Sequence, residues 1–112
     1  MVEINIKKDM PPSDVAVALL DAEIKYYVNT EEKVLKVIHG YGSHGMGGEI
    51  KKLVHSYLKD LKARKIIKGY IKGECFGMTN ELFAYACSVC PELILDSDVQ
   101  NYNSGLTIVL LN

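Results

Sequence analysis

The sequence predicts an α/β fold, a two-layer sandwich with both main helices on one face of a mixed four-stranded sheet. Three observations predict it. Residues 34–38 (Val-Leu-Lys-Val-Ile) form a short apolar run rich in β-branched residues, which reads as a buried strand. Ile50, Leu53, Val54, Tyr57, Leu58 and Leu61 recur at helical spacing, so residues 48–64 read as an amphipathic helix. Leu106 to Leu111 is nearly all apolar and reads as a last strand that is central or covered.

The other elements follow in order. Val2-Glu3-Ile4-Asn5-Ile6 alternates apolar and polar residues and reads as the first strand. Pro11 and Pro12 cannot continue a central strand, so a loop follows. Ser13 is a good helix N-cap, and Asp14 suits the positive end of the helix dipole. Val15, Leu19, Ala22 and Tyr26 then share one face, with Ala16, Leu20 and Ile24 widening it, until a helix end near Asn29. Residues 66–72 read as the third strand. Residues 73–105 form a long insert in which Thr79 would cap a short helix running through Leu82, Phe83 and Ala86 until Pro91 stops it. The order is β-α-β-α-β-insert-β, and right-handed crossovers put both main helices on one face.

A chain of 112 residues with 48% apolar and 24% charged residues fits one domain, residues 1–112, with a single core. No apolar run approaches the roughly 18 residues of a membrane span, and the N-terminus lacks an apolar signal core, so a cytoplasmic location is expected. Cys75, Cys87 and Cys90 are an odd count, which argues against a secreted disulfide framework. The pair Cys87 and Cys90 lies on an apolar helical stretch and lacks a second paired spacing, so the thiols read as reduced and inert, with no metal.

Charge is divided unevenly along the chain. Between Glu49 and Lys72 stand eight basic residues, Lys51, Lys52, Lys59, Lys62, Arg64, Lys65, Lys68 and Lys72, opposed only by Glu49 and Asp60. Between Gly73 and Gln100 stand five acids and no Lys or Arg. The basic block fits a polyanion partner, and it fits a solvated helix face as well.

The chemistry concentrates between the second strand and the second helix. His39-Gly40-Tyr41-Gly42-Ser43-His44-Gly45-Met46-Gly47-Gly48 carries five glycines in ten residues. Strand, glycine loop and helix together hold anions, because glycines allow close backbone approach and the free N–H groups of the helix start point at the charge. His39 ends the strand, where open α/β sheets place ligands. Its ordinary pKa near 6.5 suits general acid–base work, and a structural histidine bonded to the loop suits the position equally. His44 falls in mid-loop, and His55 falls off the apolar stripe and reads as a surface residue. Gly40-x-Gly42-x-x-Gly45 matches a dinucleotide fingerprint as a string, but it follows the second strand rather than the first. Gly48-Glu49 stands where a P-loop requires Lys-Ser/Thr. No cofactor is implied.

These residues resemble the Smr (small MutS-related) domain, whose hallmark is a His-Gly-x-Gly motif that ends a strand and opens a glycine loop before a helix. Here the motif stands as Val37-Ile38-His39-Gly40-Tyr41-Gly42, followed by residues 43–48 and Ile50-Lys51-Lys52-Leu53-Val54. The extended loop looks like that of short, stand-alone bacterial members, and residues 96–98 and 103–109 are similar to their turn and last strand. The resemblance implies a β-α-β-α-β-β sandwich like the C-terminal domain of the third bacterial initiation factor, and it implies binding of DNA or RNA. The binding residues would be Lys7, Lys8, His39, Gly40, Tyr41, Gly42, Ser43, His44, Gly45, Gly47, Gly48, Lys51 and Lys52, with Tyr41 as a base-stacking ring. Several family members are endonucleases, a reading in which His39 would be the acid/base. The family's second motif, Leu-Asp-Leu-His-Gly, falls here on Ile4-Asn5-Ile6-Lys7-Lys8. An amide replaces the carboxylate and a lysine the histidine, so binding carries over while cleavage lacks a proton-transfer group. A third reading is a protein-interaction module using the acidic insert 74–98.

Overall fold

The computed structural model describes residues 1–40 and 46–112, with residues 46–48 described by backbone alone. Strand β1 is Val2–Asn5, helix α1 Ser13–Tyr27, β2 Val34–Ile38, α2 Met46–Ala63, β3 Gly69–Lys72, α3 Phe83–Val89 and β4 Leu106–Leu110. Two short 3-10 turns, Gly73–Cys75 and Pro91–Leu95, flank α3. The four strands form one mixed sheet in the order β1-β2-β4-β3. β1 runs parallel to β2, and β4 runs antiparallel to both β2 and β3. Among the described residues no helix is long and apolar enough to cross a membrane.

The expected α/β fold stands, with α1 and α2 packed on one face. Ala16, Leu20 and Ile24 of α1 and Ile50, Val54, Leu58 and Leu61 of α2 share a core with Ile4, Leu35, Val37 and Val109. The opposite face is also covered. Ile71, Ile108, Leu110 and Val34 pack under Phe76, Phe83, Ala86 and Leu93, so the insert forms a layer of its own. Burial on both faces is why residues 34–38 and 106–111 read as continuous apolar runs rather than alternating ones.

Four local expectations are corrected. The face of α1 is inverted: Ala16, Leu20 and Ile24 are fully buried, while Val15, Leu19 and Tyr26 are 44%, 50% and 64% exposed. Both sides of the helix are apolar, and the position of α2 selects between them. Ser13 is the first helical residue rather than its cap; Pro12 precedes it, and no side chain caps the end. The third strand starts at Gly69 because α2 ends in a Schellman turn, with Lys65 at φ 62° and Ile66 N–H donating to the Leu61 carbonyl at 2.9 Å. In the insert Thr79 does not cap the helix: α3 begins at Phe83 after Leu82 with no side-chain cap, and the Asn80 side-chain oxygen accepts Leu82 N–H at 2.8 Å in the turn before it.

Candidate nucleic-acid interface

β1 and β2 are parallel neighbours, so their C-terminal ends lie side by side. Asn5 pairs with Ile38, and Ile6 N–H donates to the Ile38 carbonyl at 3.0 Å. Asn5 Oδ1 accepts Lys7 N–H at 3.0 Å, which turns the chain away from the sheet. Gly40 has φ +84°, a conformation that favours glycine, and a Cβ there would stand 3.2 Å from Lys7 Cδ. Lys7 and Gly40 also line a cavity of about 170 Å³ on the insert side, with Lys36 and Asp98. Lys7 therefore adjoins Gly40, while the His39 ring turns toward α2. Lys8 is exposed.

His39 is fully buried, and both its ring nitrogens have partners. Nδ1 lies 3.0 Å from the Gly40 carbonyl. A carbonyl only accepts, so Nδ1 carries the proton and Nε2 accepts from the Thr107 hydroxyl at 2.9 Å. That hydroxyl oxygen in turn accepts from His55 Nε2–H at 2.9 Å. His55 is thus no surface residue. It is half-buried, edge-to-face with His39 at 5.5 Å and stacked near Tyr70 at 6.1 Å.

Burial depresses the pKa of both imidazoles. His39 is lowered mainly by desolvation and further by the Lys51 charge. His55 falls to about 4, through desolvation first and then through His39, Lys72 and Lys51. Both rings are therefore neutral near pH 7. Lys51 is half-buried and pairs with Glu74 at 2.9 Å, whereas Lys52 is exposed. Sequence reasoning missed His55, Thr107 and Glu74. The off-stripe position of His55 was the available signal. Thr107 lies on a strand far along the chain, and nothing local marks it.

Tyr41, Gly42, Ser43, His44 and Gly45 lie outside the described residues, and Gly47 and Gly48 are described only as backbone of the first turn of α2. Cys75 is exposed, Cys87 half-buried and Cys90 buried. Burial raises the pKa of Cys87 and Cys90, as expected for inert thiols. Among the described residues no group of three His, Cys, Asp or Glu is placed to hold a metal ion.

A stability prediction follows from the two histidines. Between pH 6.5 and about 4 the unfolded chain takes up a proton at His55 that the folded chain refuses, and the lowered pKa of His39 acts in the same direction. Stability therefore falls as pH drops through that window, by on the order of 2 kcal/mol after allowance for the half-exposed His55 ring. Asp21, Glu74 and Asp98 have lowered pKa values and act below their ordinary 3.8, 4.5 and 3.8. Urea unfolding from pH 7.5 to 4.5 measures the effect, and His55→Gln should flatten the profile. A flat wild-type profile between pH 7 and 5 would refute it.

No family model matches the chain, and no solved structure matches it. It is similar to Protein NrdI of Escherichia coli O1:K1 / APEC and of Escherichia coli O45:K1 (strain S88 / ExPEC), at 27% identity over 92 residues in each case. The match covers 71% of this chain and 67% of each relative. Identity at that level is a likeness and does not establish family membership.

Proposed function

We propose that this chain is a cytoplasmic, Smr-like module that binds nucleic acid at the glycine loop and does not cleave it. The observation that carries this reading is the convergence at one edge of the sheet. The ends of parallel β1 and β2 lie side by side, the Lys7 side chain stands against Gly40, and Lys51 of the first turns of α2 lies near enough to His39 to lower its pKa. Cations and a helix start at one edge favour a phosphate group. The element order β-α-β-α-β-β with a structured insert is the one the resemblance implies, which supports the same reading.

The His39 environment argues for binding without cleavage. Cleavage needs a proton acceptor for the attacking oxygen and a donor for the leaving oxygen. His39 is sealed from solvent with both nitrogens engaged, and its partner His55 is neutral near pH 7. Near pH 7 neither ring is an imidazolium that could act as the acid, the N–H that each keeps is held by the Gly40 carbonyl or the Thr107 hydroxyl, and Asn5 supplies no base. His39 in this reading locks the end of β2 to Thr107 of β4.

The test is binding of labelled RNA and DNA across a salt series, together with a cleavage assay. Affinity should fall with salt as counterions are released. Lys51→Gln with Lys52→Gln should flatten the salt slope by up to roughly one unit, because Lys51 already pairs with Glu74. No cleavage of RNA or DNA above background is expected, with or without Mg²⁺ or Mn²⁺. Cleavage that disappears in His39→Ala would favour the endonuclease reading instead, with the His39–Thr107–His55 chain as its proton path.

A further inference from the structure

The basic block does not spread evenly over the surface. Lys51 pairs with Glu74, Arg64 with Asp60, and Lys68 stands 4.3 Å over the Tyr85 ring. Lys59, Lys62 and Lys72, all exposed, instead line one open groove of about 780 Å³ between α2 and the edge strand β3. His55, Ser56 and Tyr70 line it with them, and no carboxylate among the described residues does. Lys52, Ser56, Lys59 and Lys62 recur every three or four residues, so the basic wall continues along α2 toward the glycine loop, over about 15 Å for ten residues.

The groove also offers aromatic surface. The His55 and Tyr70 rings lie within 20° of parallel. Lys72 and Tyr70 alternate with Ile71, which packs on the opposite face, so β3 presents its cation and its ring together. Three cations beside recessed rings, with no opposing acid, match how single strands are held: charge tracks the backbone and rings stack on bases. A duplex keeps its base faces stacked inside, so a recessed ring has nothing to meet.

We propose that the groove between α2 and β3 binds single-stranded nucleic acid, with Lys59, Lys62 and Lys72 on the phosphates and Tyr70 as the stacking ring. The site extends the glycine-loop contact along α2 and rests on the nucleic-acid reading above.

Fluorescence anisotropy with short labelled oligo(dT), oligo(U) and a duplex, over a salt series, tests it on the full chain. The variant Lys59→Gln/Lys62→Gln/Lys72→Gln should raise the Kd for single strands at least about tenfold and flatten the salt slope by roughly two, at about 0.7 per single-strand phosphate contact. Tyr70→Leu should weaken single-strand binding roughly tenfold and leave duplex binding unchanged, while Tyr70→Phe keeps the ring and the affinity. Wild-type Kd and slope in the triple variant, with weakened binding in Lys7→Gln/Lys8→Gln, would remove the groove and leave the glycine-loop reading standing. A wild-type chain that binds no oligonucleotide overturns both. Equal binding of poly-glutamate, lost in the same triple variant, overturns the groove proposal in favour of an acidic polypeptide.

Discussion

Asp96→Asn combined with Asp98→Asn should destabilise the fold by about 3 kcal/mol or more, read as a drop of roughly 10–15 °C in Tm. The reason lies in Lys36, a lysine in the middle of β2 that is only 7% exposed. Its Nζ stands 3.0 Å and 3.1 Å from the two oxygens of Asp96 and 2.5 Å from Asp98 Oδ2. Burial alone would lower the Lys36 pKa, but hydrogen bonds to Asp98 and Asp96 outweigh it and raise the value. The same contact with Lys36 lowers Asp98. Removing both carboxylates leaves a buried cation without a counter-charge, which costs more than the pair itself contributes. Lys36→Met in the wild-type background should cost less, because it leaves the charges on the more exposed partners. Adding Lys36→Met to the double amide variant should recover most of the loss. Chemical unfolding of the four proteins reads this as a thermodynamic cycle. Additive losses in the cycle would mean that Lys36 finds water in the variant and that the triad does not hold the insert on the sheet.

Gly73→Ala is expected to cost at least about 3 kcal/mol, or to prevent folding. Gly73 begins the turn that leaves β3. A Cβ there would sit 1.9 Å from the Asn103 carbonyl oxygen and 2.7 Å from that of Leu106. Both are backbone atoms, so no side-chain rotation relieves the overlap. The segment that must move leads directly into β4, where Thr107 pairs with Lys72 and holds both histidines. Loss of stability should therefore come with loss of the pH profile that His55 confers. Gly69→Ala is the control. Its Cβ would meet Leu82 Cδ1 at 3.0 Å, and that side chain can turn aside, so a loss below about 1 kcal/mol is expected. Comparable losses in the two variants would show that backbone crowding at Gly73 is not the cause.

Local pattern was enough to read the β2–loop–α2 unit. The β-branched run and the helical recurrence of Ile50, Val54, Leu58 and Leu61 each describe neighbours along the chain, and the structure places both as read, while the glycine loop lies largely outside the described residues. The end of β2 as the position of His39 was legible for the same reason. The inward face of α1 was not. Val15, Leu19 and Tyr26 offer as apolar a side as Ala16, Leu20 and Ile24, and only the seat of α2 against the sheet buries the second set.

The sequence by itself determined the order of elements, the basic block and the strand-end histidine, because each rests on residues within a few positions of one another. Tertiary structure alone decided what those residues meet. The register of β2 on β4 sets Val37 beside Thr107 and so brings a hydroxyl to His39 across 68 residues of chain. The phase of α2 turns His55 inward to the same hydroxyl and leaves Lys59 and Lys62 outward across from Lys72. Lys36 was visible as a charge within an apolar strand, but its counter-charges, Asp96 and Asp98, arrive from the insert about sixty residues later. Packing free energy selects these meetings, and periodicity carries no information about contacts made at such separations.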